Sequence, residues 1–179
     1  MNRARLTIGI LLLSTSCMLG QVSTPLSTPT EVMERFYSAL ASENDSTRNA
    51  ELKTLFIEGG SIHATLQSNQ QTSRTQLGSV DAFLKNSAPF YAANKLDYQE
   101  VERNIDYYQD LLHVQSVALQ RIEDKQTKEE FEQWLWISLD MAYQNERWYI
   151  TAASWVNSIK GYPIRRAILQ DTLWHKPEH

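Results

Sequence analysis

One face of a predicted strand near the end of the chain carries indole rings and a carboxylate. Trp134, Trp136, Ser138 and Asp140 occupy every second position, and apolar residues fill the positions between them, as the period of two of a β-strand requires. Aromatic rings beside an acid are typical of the wall of a ligand cavity, where apolar neighbours could hold Asp140 neutral. A sheet face covered by a partner would have the same composition. The pattern therefore predicts one of these two environments.

The four histidines are the other groups that could transfer protons near neutral pH. His113 lies inside an apolar strand, which is more typical of a hydrogen-bonded sheet residue than of a catalyst. His175 and His179 flank Pro177, which weakens any shared helical face. The sequence has no HExxH, paired-cysteine or carboxylate pattern with metal-ligand spacing, so we expect neither a metal site nor a cofactor.

Other motifs that carry chemistry are missing from the sequence. There is no G-x-S-x-G pattern, and a Ser-His-Asp set can be assembled only by free choice among many residues. Glycine is scarce, with six residues, and no phosphate-binding loop is present. The net charge is −4 without a basic stripe, so nucleic acid is not an expected partner.

The first twenty residues have the pattern of a secretory signal. Arg3 and Arg5 precede a short apolar run at 6–13, which is too short to span a bilayer, and no other segment reaches the roughly 20 apolar residues that spanning needs. Cys17 is the only cysteine. Its preceding residues, Leu-Ser-Thr-Ser, resemble a bacterial lipobox with the leucine one position early. We therefore expect an exported protein, periplasmic or secreted, with lipidation of Cys17 as an alternative to cleavage after it.

The rest of the chain is sufficient for one domain. A linker rich in Ser, Thr and Pro covers residues 21–28, the domain covers 29–157, and a C-terminal extension covers 158–179. The extension holds apolar residues with Arg165 and Arg166, and it reads as a short amphipathic helix or an extended arm. Its basic face is narrow, which gives a membrane role little support.

Capping residues mark three helices in the predicted domain. Thr28, Pro29 and Glu31 form a capping box for the first helix, and Ser79 caps the third. The second helix, at about 47–56, is predicted to end at the pair Gly59 and Gly60. Residues 68–76 read as a hairpin end or mobile loop, and the predicted strands are 61–67, 98–108, 111–122, 131–143 and 146–155. This order predicts an α+β fold, in which a curved antiparallel sheet wraps about three N-terminal helices.

Three segments together resemble the nuclear-transport-factor-2-like (NTF2-like) superfamily, which includes ketosteroid isomerase and SnoaL-like polyketide cyclases. They are VMERFYSAL, ELKTLFIEGGSIHA and ERWYITAASW, and they cover most of Glu31 to Val156. Residues 96–117 and Trp155 also resemble a secreted or periplasmic subgroup that generally lacks an assigned activity. The resemblance implies a cystatin-like cone that encloses one pocket, and often a homodimer formed sheet to sheet.

The resemblance also allows a comparison with the residues of ketosteroid isomerase. That enzyme uses a tyrosine on the first helix, an aspartate at the end of the first strand and an acid on a later strand. The matching positions here are Phe36, Ala64 and Asp140. Tyr37 is adjacent to the first position but on a different face of the helix. With one match in three, we do not expect isomerase chemistry of this type.

His63 is a possible replacement base because it neighbours Ala64. However, strand alternation turns His63 outward if Ala64 points inward, unless a bulge beside Gly59 and Gly60 shifts the register. The favoured interpretation of His63 is an exposed residue on the sheet surface.

Two hypotheses follow from the sequence. The first is a non-catalytic exported module that binds a small apolar ligand or a protein partner, which includes a second copy of the chain bound through the sheet. Its candidate ligand-binding residues are Tyr37, Trp134, Trp136, Asp140 and Trp155. The second is an isomerase, dehydratase or cyclase that uses Asp140 with His63 or Tyr37. The first ranks higher because acid-base groups are missing, and Trp134 and Trp136 fit a cavity wall or a dimer interface.

Overall fold

The computed structural model describes residues 26–67 and 73–157, which contain three helices and six strands. The predicted signal segment and C-terminal extension lie outside these residues. The helices are α1 Pro29–Ala41, α2 Asp45–Leu55 and α3 Val80–Ala93. The strands are β1 Phe56–Gln67, β2 Ser73–Ser79, β3 Asn94–Tyr108, β4 Leu111–Asp124, β5 Glu130–Gln144 and β6 Arg147–Asn157.

Helix α1 begins at the predicted capping box. The Glu31 N–H donates to Thr28 Oγ1 at 3.2 Å, and Glu31 Oε2 accepts from the Thr28 N–H at 3.0 Å. Both bonds satisfy N–H groups that a helix start would otherwise leave unpaired. Val32, Met33 and Phe36 then face inward without solvent exposure. Local chemistry thus fixes where α1 starts, and its apolar stripe fixes which side packs on the sheet.

The six strands form one curved sheet in the order β2-β1-β6-β5-β4-β3. Neighbouring strands are antiparallel except for β1 and β6, which are parallel. The α+β prediction is confirmed. The segment 68–76, predicted as a hairpin end or mobile loop, lies partly outside the described residues, and its residues 73–76 belong to β2, which forms an antiparallel hairpin with β1. The parallel pair of β1 and β6 was not predicted.

A bulge in β1 replaces the helix end that was predicted at the glycine pair. Helix α2 already ends at Leu55, and Gly59 has φ 79° inside β1, where the β1–β6 register is interrupted. A Cβ at Gly60 would lie 3.0 Å from the Ile57 carbonyl oxygen. A left-handed conformation was correctly predicted at the glycine pair, but at Gly59 it forms a β-bulge rather than a helix cap. Beyond the bulge, Ala64 is buried and His63 is exposed.

The helices pack on one face of the sheet, which we term the concave face. Its core positions alternate along the strands and include Leu112, Val114, Ile137, Leu139 and Ile150. The opposite, convex face carries the residues between them. Leu26, from the predicted linker, is also buried, and its carbonyl accepts a hydrogen bond from the Trp148 N–H at 3.0 Å.

Candidate functional site

A cavity of about 170 Å³ lies between helix α3 and the concave face of the sheet. Its volume is close to that of an apolar protein cavity of roughly 150 Å³ that binds benzene. The rings of Phe83 and Trp155 meet edge to face in its wall, 5.3 Å apart at 89°. The lining residues are Leu40, Ala64, Phe83, Asn86, Ser87, Phe90, Tyr91, Tyr98, Gln120, Gln133, Leu135, Ile137 and Trp155. The cavity has room for one ring.

Amide side chains form a hydrogen-bonded row along one wall of this cavity. Gln120 Nε2 donates to Tyr98 Oη at 2.7 Å, and Gln133 Nε2 donates to Gln120 Oε1 at 2.5 Å. Asn157 Nδ2 donates to Gln133 Oε1 at 3.0 Å. Strand register produces the row, because Tyr98 pairs with Gln120 and Gln120 pairs with Gln133. A primary amide has a second donor and a second lone pair, with which each glutamine could bind a ligand.

Two phenols at this wall resist ionisation. Burial raises the pKa of Tyr98 well above its ordinary value and raises the pKa of Tyr91 to about 12. The Arg48 guanidinium lies 3.8 Å from the centre of the Tyr91 ring and opposes the effect of burial on Tyr91. Both phenols are therefore neutral hydrogen-bonding groups at physiological pH.

This burial predicts that the fold loses stability in alkaline solution. The unfolded chain ionises Tyr91 near its ordinary pKa of 10, whereas the folded chain holds that proton to about 12. Deprotonation therefore favours the unfolded state, and the free energy of unfolding should fall as pH rises between these values. Urea denaturation at about pH 9 and about pH 11 measures the loss. Tyr91→Phe should reduce it, whereas the exposed Tyr108→Phe should not; equal losses in both variants would contradict the assignment.

A second polar cluster joins α1 to β3 and β4. Tyr37 Oη lies 2.8 Å from Ser116 Oγ, which donates to Glu100, and Glu100 in turn accepts from Arg103. A bulge between Glu100 and Glu102 turns both Glu100 and Arg103 onto the concave face. Burial also raises the pKa of Tyr37. The Tyr37 hydroxyl is thus hydrogen-bonded within a structural cluster, and Tyr37 does not line the cavity.

The structure separates the other residues predicted for the site. Trp155 lines the cavity, but Trp134, Trp136 and Asp140 lie on the convex face. The reason is strand alternation, because the intervening β5 residues, such as Ile137, face the core. Asp140 pairs there with His113, whose Nδ1 lies 2.7 Å from Asp140 Oδ1.

The structure does not bring the three catalytic candidates together. His63 is exposed and shares the convex face with Asp140, whereas Tyr37 is buried on the concave side. Within residues 26–67 and 73–157, the cavity lining includes no histidine and no carboxylate. The same part of the chain holds no cluster of metal-ligating side chains.

Sequence reasoning missed the amide row. One signal was present, because Gln120 shares its parity on β4 with Val114, Ala118 and Ile122. An amide at a core position indicates a hydrogen-bonded wall. Its partners, Tyr98 and Gln133, lie on other strands, so no local pattern connects them.

Comparison with known proteins places this architecture. No protein-family profile matches the chain, and no curated protein matches it significantly. Solved structures do match. An NTF2-like superfamily protein from Salmonella enterica serovar Typhimurium superposes with a TM-score of 0.56 at 13% identity, covering 73% of this chain and 89% of that one. The chain has the NTF2-like fold.

Two further structures share this NTF2-like fold. A Xanthomonas campestris protein, named for the association domain of calcium/calmodulin dependent protein kinase II, has a TM-score of 0.55 at 14% identity over 73% of this chain and 86% of that one. A Novosphingobium aromaticivorans protein, named as a scytalone dehydratase, has a TM-score of 0.52 at 17% identity over 76% and 86%. The resemblance predicted from the helices and closing strand is confirmed at the level of fold. Among the described residues, no helix is long and apolar enough to cross a membrane.

Proposed function

We propose that the cavity of this NTF2-like protein is a non-catalytic binding site for a small uncharged ring compound. The observation that carries the proposal is the lining, in which aromatic and aliphatic walls face a row of amides and phenols. Such groups orient a ligand through hydrogen bonds. General acid-base catalysis at neutral pH instead needs a group whose pKa lies near that pH, and the lining phenols ionise far above it.

The lining also supports one class of ligand. A single ring fits in the cavity against the wall formed by Phe83 and Trp155, and a hydroxyl or carbonyl substituent would bond to Gln120 or Gln133. A charged ligand is disfavoured, because a charge buried among neutral groups loses its hydration without gaining an opposite charge. Phenol and cyclohexanone are therefore better probes than benzoate.

The test is calorimetric titration of the protein, without its predicted signal, with phenol, cyclohexanone and benzoate. We expect the two neutral compounds to bind and benzoate to bind at least about tenfold more weakly, because the described lining residues include no cation that could pair with its carboxylate. Ala64→Phe should abolish binding of both neutral probes, since Ala64 lines the cavity and is only 2% exposed. Equal affinity for benzoate, or unchanged binding in Ala64→Phe, would overturn the proposal.

His63→Phe is the matched control for this variant. It adds a phenyl group at the adjacent position, but His63 is exposed on the convex face. It should therefore leave ring binding unchanged. Because overpacking a core typically costs about 1–3 kcal/mol, the unfolding curve of Ala64→Phe must confirm that this variant is folded under the binding conditions.

We infer export and self-association as parts of the same proposal. The apolar run at 6–13 after Arg3 and Arg5 supports a signal segment, and the mass of the processed chain would distinguish cleavage from lipidation at Cys17. Trp134 and Trp136 on the convex face support a homodimer through the sheet. Sedimentation equilibrium of the protein and of a Trp134→Arg variant would detect or exclude it.

A further inference from the structure

Three side chains form a hydrogen-bonded set on the convex face, away from the cavity. His113 Nδ1 lies 2.7 Å from Asp140 Oδ1, and His113 Nε2 lies 3.4 Å from Ser138 Oγ. Register creates the set, because His113 on β4 pairs directly with Asp140 on β5. Ser138 is two residues before Asp140 and therefore shares its face. No local motif in the sequence connects these residues.

The partners of His113 determine its tautomer. An ionised carboxylate can only accept hydrogen bonds, so Nδ1 carries the proton that Asp140 accepts. In neutral imidazole, Nε2 then has the lone pair, which faces the Ser138 hydroxyl. The imidazole is thus oriented to accept the proton of Ser138, which is the arrangement that activates a serine nucleophile.

We propose that Ser138, His113 and Asp140 form a nucleophilic site for activated acyl esters on the convex face. In this site Ser138 is the nucleophile, His113 is the general base, and Asp140 is a positioning residue. The site is independent of the ring-binding cavity, because the two lie on opposite faces of the sheet. The 3.4 Å separation is long, but such contacts commonly shorten when a substrate binds.

An open groove of about 390 Å³ borders two members of this set, His113 and Asp140. It is lined by His113 and Asp140 together with Tyr107, Tyr108 and Leu111. The last three side chains are all more than half exposed. They offer apolar surface to the aryl or alkyl part of an ester, beside the imidazole.

Solvent reaches the reactive groups directly. The side chain of His113 is 36% exposed and that of Asp140 is 58% exposed. Trp134 lies six residues from Asp140 along β5, about 20 Å in an extended strand, but Trp136 lies only two residues from Ser138, about 7 Å away. A second copy that covers Trp134 alone would leave Ser138 accessible, whereas one that also covers Trp136 would restrict access to it.

The proposed reaction has two steps. Ser138 Oγ attacks the acyl carbon while His113 Nε2 takes the hydroxyl proton, and the bond from the acyl carbon to the ester oxygen then breaks. The departing alcohol or phenol receives the proton from His113, which leaves an acyl-serine. Water repeats the sequence on the acyl-serine, so that a carboxylic acid is released and the Ser138 hydroxyl is restored.

The sheet limits which esters can react. Ser138 lies in β5, which is paired on both sides with β4 and β6, so backbone N–H groups there take part in the strand ladders. They cannot form the preorganised oxyanion hole of serine hydrolases, in which a single donor contributes about 10²–10³ in rate. We therefore expect reaction with esters of good leaving groups and not with amides.

The experiment uses para-nitrophenyl acetate with the full chain. We expect a burst of nitrophenol, a slower steady state, and one acetyl group on Ser138 by peptide mass spectrometry. Ser138→Ala and His113→Gln should each lower the rate about a hundredfold, the scale of general-base assistance. Asp140→Glu should retain more of the rate than Asp140→Asn, because it keeps a carboxylate beside Nδ1.

The control is Ser154→Ala, which removes a hydroxyl from the residue paired with Ser138 and should leave the rate unchanged. Ala64→Phe should also leave ester cleavage unchanged while losing ring binding, which separates this proposal from the proposed function. An unchanged rate in Ser138→Ala, or acetylation confined to lysines or His113, would overturn the proposal.

Discussion

Replacement of Phe36 by alanine is expected to lower the free energy of unfolding by about 3–5 kcal/mol, the usual cost of truncating a buried aromatic residue. Phe36 has no solvent exposure. Its ring lies 6.0 Å from that of Tyr37 and 6.4 Å from those of Phe56 and Trp155. Truncation therefore removes contacts that join α1 to β1 and to the cavity wall. Urea denaturation followed by circular dichroism measures the change.

Phe131→Ala provides the comparison for Phe36→Ala. Phe131 is 51% exposed on β5, so the same truncation should cost less than about 1 kcal/mol. Similar losses in the two variants would show that Phe36 does not occupy the centre of the core.

Phe36→Tyr restores the residue type that the resemblance to ketosteroid isomerase would require. It should cost about 1–3 kcal/mol if its hydroxyl finds no partner in this packed site.

Replacement of Arg48 has the second largest expected effect. The side chain is only 2% exposed, and its guanidinium bonds to the Ser42 carbonyl oxygen at 2.9 Å, pairs with Asp45 and stacks on Tyr91. Arg48→Ala removes these contacts together with the buried stem, at a cost of about 2–4 kcal/mol. Loss of the pairing with Asp45 contributes little to this cost, because the Asp45 carboxylate is 57% exposed and is hydrated once Arg48 is removed.

Two further substitutions at Arg48 separate packing from charge. Arg48→Met keeps most of the buried stem, and an apolar replacement of a buried ion is often tolerated. Arg48→Lys keeps the charge but cannot match the planar, forked donor geometry. We therefore expect the methionine variant to be more stable than the lysine variant in thermal denaturation. The opposite order would indicate that the charge itself stabilises this site.

A surface ion pair supplies the control for Arg48. Arg35 pairs with Glu51, but their side chains are 32% and 40% exposed. Solvent screens such a pair, and Arg35→Met should change stability by no more than about 1 kcal/mol. A large effect at Arg35 would mean that burial does not account for the predicted cost at Arg48.

Local chemistry made part of the fold predictable from the sequence. The capping box at Thr28 and Glu31 needs only residues within one turn, and it was found where expected. The alternation of β5 was also local and correct. Gly59 shows where such reasoning stops, because a left-handed glycine serves a helix cap or a β-bulge equally well. Only the pairing of β1 with β6 distinguishes the two.

The candidate sites depended on information that the sequence does not hold locally. Alternation placed Trp136 and Asp140 on one face of β5 and Ile137 on the other, but it did not predict which face packs on the helices. The face that carries Ile137 packs on them, because the apolar stripe of α1 needs an apolar surface against which it is buried. The amide row of Gln120 and Gln133 requires the register between β4 and β5. That register is set by the packing of the whole sheet.

The parallel pairing of β1 with β6 has a consequence for the order in which the protein folds. Ile62 pairs with Ala153, so this contact joins residues 153 − 62 = 91 positions apart, and such distant contacts form slowly. A ribosome delivers β1 long before β6, and until then β1 can pair only with β2. If the protein is exported as we propose, the centre of the sheet cannot close until almost all of the described chain has crossed the membrane. The late synthesis of β6 would then help to keep the chain unfolded for transport.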